Sequence, residues 1–343
     1  MPGFRTPLAI IMLLALINTG LAIHDGELVA RLRMPAQPQN KKPEEEVKPM
    51  SKIVAARVET SQPQLLGGPV AAVVTVTNHG PRTASILLPY PNPNDLSFSC
   101  PSSEIPQPKT IERDPIERAA PIQVQPGGEY TATYYLNRYF SFIKVGRVDC
   151  AFELKMLVAN VGEPAPPRKE VFNGKFEITL VLGSSDQLRG EFSKFAKQLQ
   201  DLKRSLRIQA AEALAFVDSP LVVPYQLPML KTNNLEVVGI HALARHPSPE
   251  SEQAIISMLS HPESAVVGAA LEEIDRLKIA ISRHEVQRLL GSSNPGVQWE
   301  ALGWLAARPS REDLPFLQPL VESANVSVRE RASAYSKQLQ AGR

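Results

Sequence analysis

The sequence predicts a multidomain protein in which an all-β sandwich is followed by an all-α solenoid. Three observations carry that expectation. Between residues 51 and 183, short runs of β-branched residues alternate with Pro- and Gly-rich turns. From residue 206 to the end, one apolar helical stripe returns five times at nearly constant spacing. Ahead of both, MPGFRTPLAIIMLLALINTGLAIHDG couples a basic residue to an apolar run and then to small residues.

That first stretch reads as a signal peptide over 1–22, with Gly20 and Ala22 at the −3 and −1 positions of a cleavage site. An uncleaved anchor is the alternative. The run from Leu8 to Ile23 is interrupted by Asn18 and Thr19 and falls short of the ~20 residues of a spanning helix, so no membrane span is expected after cleavage. In either case the rest of the chain is expected outside the cytoplasm: periplasmic, secreted or at the cell surface. Residues 23–50 contain Pro35, Pro38, Pro43 and Pro49 and the charge block KKPEEEVK. Prolines break helices and ladders, and the block has no apolar face, so 23–50 is expected to be a disordered tether.

In 51–183 the candidate strands are IVAARVET, VAAVVTVTN, the run ending in ILLPYPNPND, QVQPGGEYTATYYL, VGRVDCAFELKMLVA and GKFEITLVLG. Cys100 and Cys150 are the two cysteines of the chain and both fall here. They lack CxxC spacing and a neighbouring His, and in an exported chain they point to a structural disulfide rather than a metal or thiol site. The stretch PGGEYTATYYLNRYFSFIKVGRVDCAFEL resembles the late strands of an immunoglobulin-like domain, which implies a two-sheet sandwich. It departs from that family in having Val148 two residues before the Cys, where a Tyr is usual. It also has no Trp in 51–183, and Cys100 lies too late to be the early-strand partner.

Residues 184–205 are expected to form a linking and capping helix. Leu188, Phe192, Phe195, Leu199 and Leu202 step by four, three, four and three, and the N-cap falls near Ser185 or Asp186.

The repeat, over 206–343, has about five units. They start at 206-LRIQAAEAL, 235-LEVVGIHAL, 266-VVGAALEEI, 297-VQWEALGWL and 328-VRERASAYS, in steps of 29, 31, 31 and 31 residues. The first position is Leu206, Leu235, Val266, Val297 or Val328. Four residues on comes Ala210, Gly239, Ala270, Ala301 or Ala332, always small. Four further on comes Leu214, Leu243, Ile274 or Leu305, with Ser336 breaking the rule. These positions make one face of a helix, and the small residue lets a neighbour approach closely. A second apolar set at Leu230, Leu259, Leu290 and Val321 adds a second helix to each unit. Two short amphipathic helices bury their faces only by stacking on the next pair, so the array is expected to be a solenoid. The units resemble HEAT repeats, in particular the short bacterial kind of the phycobilisome-lyase type, whose helix motif is Val-Arg-x-x-Ala-x-x-Ala-Leu. Arg207 and Arg329 keep its Arg, while Glu236, Val267 and Gln298 replace it.

Function is less legible. The chain carries 37 basic and 35 acidic residues, and residues 186–343 carry 18 of each, so a nucleic-acid groove is not expected. No GxSxG, HExxH, P-loop or dinucleotide turn occurs. Of the six His, His24 and His79 precede the repeats and His241, His246, His261 and His284 fall at different repeat offsets, so they read as surface or turn residues rather than metal ligands. Glu272, Glu273 and Asp275 read as a solvated helix face.

The expected protein is therefore not an enzyme and has no cofactor. It binds a protein partner through the solenoid, with the sandwich orienting it. Candidate surface residues are Trp299, Arg283, His284, Arg288 and Arg311. Trp299 lies off the buried stripe and either anchors a partner or packs between units. Trp304 is expected in the core.

Two alternatives remain open. The repeat resemblance implies a lyase-like accessory subunit of an enzyme. The sandwich could instead bind a glycan or a protease, with Tyr130, Tyr134, Tyr135, Tyr139 and Phe140 as the rings available for a sugar platform. Tyr134 and Tyr135 are adjacent on a strand, so at most one is expected in the core.

Overall fold

The computed structural model describes residues 53–61, 63–87, 96–100, 121–162 and 166–341. The expected signal peptide at 1–22, the tether at 23–50 and the cluster PYPNPND at 89–95 lie outside the described residues.

Nine strands come first: β1 (Val54–Glu59), β2 (Gln64–Leu65), β3 (Ala71–Asn78), β4 (Ala84–Leu87), β5 (Leu96–Ser99), β6 (Ile122–Val124), β7 (Glu129–Tyr135), β8 (Gly146–Asn160) and β9 (Arg168–Val181). β1, β3 and β7 form an antiparallel sheet in that order. A larger sheet runs β2-β9-β8-β4-β6, with β5 also paired to β8 and β2 parallel to β9.

The immunoglobulin-like sandwich expected from the sequence is not what forms. The β part is a curled half-barrel. The cause lies in β8 and β9, which pair from Gly146 opposite Leu180 to Val158 opposite Arg168. At 15 and 14 residues they are well over twice the usual strand length of about 5–6. Strand twist accumulates over such a length and bends the sheet around its own apolar face. Cys150, Phe152, Leu154, Met156 and Val158 of β8 alternate into that concave core, with Phe172, Phe176, Ile178 and Leu180 of β9 beside them.

The Cys100–Cys150 disulfide is present. Ser99 of β5 pairs with Ala151 of β8, which brings the two Cα atoms within 4.2 Å of each other. The bond thus joins neighbours within one sheet, whereas an immunoglobulin disulfide crosses between two. Buried Asn78 ties the sheets together by donating to the carbonyls of Arg82 (2.8 Å) and Val124 (2.9 Å).

Among the described residues, the β part and the helices that follow belong to one compact unit. Helix α1 (Ser185–Gln198) packs against β7 and β2. Its N-cap is Ser184, one residue earlier than expected, closed by a capping box with Gln187. Leu188, Phe192, Phe195 and Leu199 face inward, but Leu202 lies past the helix end and is 96% exposed. The Phe195 ring meets the edge of Tyr135 at 5.8 Å between centroids. Both faces of β7 are thereby covered, and Tyr134 and Tyr135 are both buried, contrary to the expectation of one. Tyr139 and Phe140 are buried too, so four of the five rings proposed as a sugar platform are core residues, and Tyr130 is partly buried against the same core.

The helical part continues with α2 (Arg204–Ala215), α3 (Val223–Gln226), α4 (Glu236–Leu243), α5 (Pro249–Ser257), α6 (Ser264–Leu277), α7 (Arg283–Leu289), α8 (Pro295–Ala306), α9 (Leu314–Leu317) and α10 (Val326–Ala341). The first helices of the five units, α2, α4, α6, α8 and α10, pack on one another in sequence order, and the second helices pack behind them. Of these, α3 and α9 are only four residues long, because Pro224, Pro228 and Pro315 remove backbone donors, and both adjoin 3₁₀ turns.

The small-residue row lies at the helix contacts. Ala210, Ala270, Ala301 and Ala332 are fully buried. At Gly239 a Cβ would stand 2.9 Å from Met229 Cβ and 3.3 Å from the Leu230 backbone nitrogen. A Gly→Ala change in a helix ordinarily gains about 1 kcal/mol, while overpacking against backbone costs about 1–3 kcal/mol. Gly239→Ala is therefore expected to destabilise by roughly 1 kcal/mol net, seen as a lower urea midpoint at unchanged m. A raised midpoint would show that the 227–231 turn yields freely.

Candidate interaction surface

Because the first helices stack in register, residues at one repeat offset form a row along the ladder. The edge where these helices end is stitched by basic side chains. His246 Nε2 donates to the Val217 carbonyl of the preceding unit at 2.8 Å. Arg276 Nη2 donates to the Ala244 carbonyl at 3.1 Å, and Arg283 Nη2 to the Arg308 carbonyl at 2.6 Å. Arg308 pairs with Asp275. Each of these side chains reaches the C-terminal end of a helix in a neighbouring unit, where orphan carbonyls take a donor and the helix dipole favours the positive charge of the arginines. Burial pushes the His246 imidazole below its ordinary pKa, against the raising effect of its bond to Val217.

Along this edge runs an open groove of about 660 Å³, lined among others by Phe216, Val238, His241, Arg245, Glu273 and Arg276. Glu273 is buried, and both its oxygens are engaged. His241 Nδ1 donates to Oε1 at 2.7 Å and Arg276 Nε to Oε2 at 2.6 Å. Burial alone would raise its pKa, but the bonds from His241 and Arg276 outweigh burial and hold it below the usual carboxylate range. Arg245 lies over the Phe216 ring, 5.6 Å from its centroid, and reaches Asp218 at 3.6 Å. Among the described residues, no group of three or more His, Cys, Asp and Glu side chains is placed to hold a metal ion.

The sequence singled out other residues. Arg283 is engaged inside the fold: Nε donates to Asp313 Oδ1 at 2.7 Å, and Nη2 bonds Asp313 Oδ2 and, at 3.2 Å, the Tyr335 hydroxyl. Arg288 and Arg311 are exposed. His284 is exposed and meets the Phe316 ring edge-on at 6.3 Å. Trp299 is 39% exposed. The Arg331 guanidinium of the next unit covers its ring at 4.0 Å and donates to its carbonyl at 3.1 Å. Room for that guanidinium comes from Gly303, where a Cβ would collide with it. Trp299 thus bridges two units and still shows an open flank. Trp304 is half-buried against the core, with Arg308 over its ring at 4.2 Å.

No protein-family profile matches the chain, and no curated protein matches it. Solved structures show only distant likeness. An engineered protein is 19% identical over 47% of this chain and 87% of its own, with a TM-score of 0.29. A designed armadillo repeat protein in complex with peptide (KR)4 is 20% identical over 45% and 85%, with a TM-score of 0.27. Native α2-macroglobulin from Escherichia coli, from domain MG7 to its C-terminus, is 9% identical over 83% and 54%, with a TM-score of 0.22. Likeness at this level carries no functional argument.

The groove was missed in the sequence for a specific reason. His241 and Glu273 are 32 residues apart and hold different offsets in their units, so no row of like residues marked them. The Glu272, Glu273, Asp275 cluster was expected on a solvated face, yet Glu273 points inward to His241 and Arg276 while Asp275 meets Arg308. One usable signal existed: Arg245 and Arg276 share the same offset in successive units.

Proposed function

We propose that this is an exported, non-enzymatic scaffold whose helical ladder, HEAT-like in its repeat motif, binds a protein partner while the β part orients it. Trp299 carries this reading. An aromatic ring held rigid by a stacked arginine, yet open on one flank, is the kind of anchor that dominates protein interfaces. The row geometry supports it, since a ladder in register offers a partner one contact position per unit. The buried disulfide is compatible with a location outside the cytoplasm, where such bonds persist. Among the described residues, no helix is long and apolar enough to cross a membrane.

The test is crosslinking of the purified full chain to the native envelope fraction, beside Trp299→Ala. One saturable partner is expected, weakened by about 2 kcal/mol or more in the variant, with the variant still folded by circular dichroism at the temperature of the experiment. Equal capture by both proteins would remove Trp299 as the anchor.

A further inference from the structure

We propose that the groove at the C-terminal edge of α2, α4 and α6 binds an acidic, extended peptide segment carrying carboxylates three residues apart. This rests on the reading of the ladder as a protein-binding surface, and it names a site and a ligand chemistry for it.

The open valences of the groove are donors. A guanidinium has five N–H donors. Arg276 uses Nε on Glu273 and one Nη2 bond on the Ala244 carbonyl, which leaves Nη1 for a ligand. Arg245 lies over the Phe216 ring and reaches Asp218 at 3.6 Å, longer than a hydrogen bond, so its terminal nitrogens have bonding capacity left, while its Nε is buried. Glu273 is buried with both oxygens engaged, so it offers a ligand no acceptor. The Val217 and Ala244 carbonyls, which would repel an anion, are already bonded by His246 and Arg276. Asp218, partly exposed in the groove lining, is an acceptor suited to a ligand backbone N–H.

Spacing selects the ligand. Arg245 and Arg276 hold the same offset, ten residues after Leu235 and Val266; Arg245 stands just past the end of α4 and Arg276 in the last turn of α6, two helices packed side by side. Packed helix axes lie about 8–10 Å apart. A polyproline II segment has three residues per turn and a rise of about 3.1 Å, so residues i and i+3 lie on one face roughly 9 Å apart. Two carboxylates at i and i+3 therefore meet the two guanidiniums, while Val238 and Leu277 give the segment an apolar floor. Carboxylate–guanidinium pairs are charge-assisted and directional, so the spacing is read as well as the charge.

The experiment titrates purified full chain into fluorescein-labelled Gly-Glu-Pro-Pro-Glu-Gly and follows anisotropy. Saturable binding is expected, weaker by about tenfold for the isomer with adjacent glutamates and for the Lys-Pro-Pro-Lys peptide. Arg245→Gln is expected to lose a similar factor while keeping the wild-type melting temperature. Should Arg245→Gln fold poorly, the three-peptide comparison on the wild-type protein still decides. Equal affinity for the three peptides, or no saturation at about 1 mM, where specific recognition has vanished, would overturn the proposal. If the peptides fail while Trp299-dependent capture persists, the partner binds elsewhere on the ladder. If both fail, the scaffold reading falls with the groove.

Discussion

Replacing Cys100 and Cys150 together by Ser is expected to destabilise the protein by about 4 kcal/mol. The bond closes a loop of 50 residues. Chain-entropy arithmetic for a loop of that length gives about 4 kcal/mol at 25 °C, within the usual loss of about 2–5 kcal/mol on removing a native disulfide. Against a total stability of about 5–15 kcal/mol this is a large share. The bridge sits where it matters most mechanically. Among the described residues β5 pairs only with β8, and it is four residues long, so its register depends on few ladder bonds. Leu96 and Phe98 of β5 fill the concave core, and Phe98 meets Tyr134, Tyr139 and Phe176 at 5.5–6.2 Å. Losing the bridge should release that aromatic cluster first. The measurement is urea unfolding of the double variant and of reduced wild-type protein, which should coincide. A loss under about 1 kcal/mol, the size of a single surface effect, would mean that packing around Phe98 holds β5 without the bond.

What the sequence disclosed and what it hid follow one physical line. Period and alternation are local properties, and they placed the helical stripes and most strand runs. Buried Ala210, Ala270, Ala301 and Ala332 occupy the row that the small residues marked. The disulfide was legible because two cysteines permit one pairing. Curvature was not legible. That β8 and β9 form one long hairpin depends on pairing across the connection between them, and nothing in VGRVDCAFELKMLVA alone distinguishes a sandwich strand from one wall of a half-barrel. The burial of both Tyr134 and Tyr135 was hidden for the same reason: it requires α1 to cover the outer face of β7, a contact between segments about 60 residues apart. Charged residues misled most. Arg283 was read as a surface residue because lone arginines usually are, but its partner Asp313 lies 30 residues away in the next unit.

That pair supports the second large effect: Asp313→Ala is expected to cost about 3–5 kcal/mol. Asp313 is fully buried and accepts from three side chains of the two neighbouring units. Arg283 Nε and Gln287 Nε2 reach Oδ1 at 2.7 and 2.8 Å, and Arg283 Nη2 and the Tyr335 hydroxyl bond Oδ2. Removing the carboxylate leaves the partly buried guanidinium with the Arg308 carbonyl but without its charge partner, and leaves a buried amide and a buried hydroxyl without this acceptor; unmade bonds in low dielectric are the expensive kind. Asp313→Asn keeps the shape but not the charge, so it should fall between wild type and Ala. The acid limb carries the same signature. Burial tends to raise the Asp313 pKa, but the bonds from Arg283, Tyr335 and Gln287 win and hold it below its ordinary value. A depressed carboxylate contributes stability that is full above its unfolded pKa of about 3.9 and is lost as pH falls toward its folded value. Burial first, and then the neighbouring carboxylate, push the Tyr335 hydroxyl up to about 12, so it remains a donor throughout that range. Wild-type stability should therefore fall below about pH 4 by more than that of Asp313→Asn, which has no such group to protonate. Parallel acid limbs in the two proteins would show that the network contributes shape rather than charge, and a cost below about 1 kcal/mol in Asp313→Ala would show that water reaches Arg283 once the carboxylate is gone.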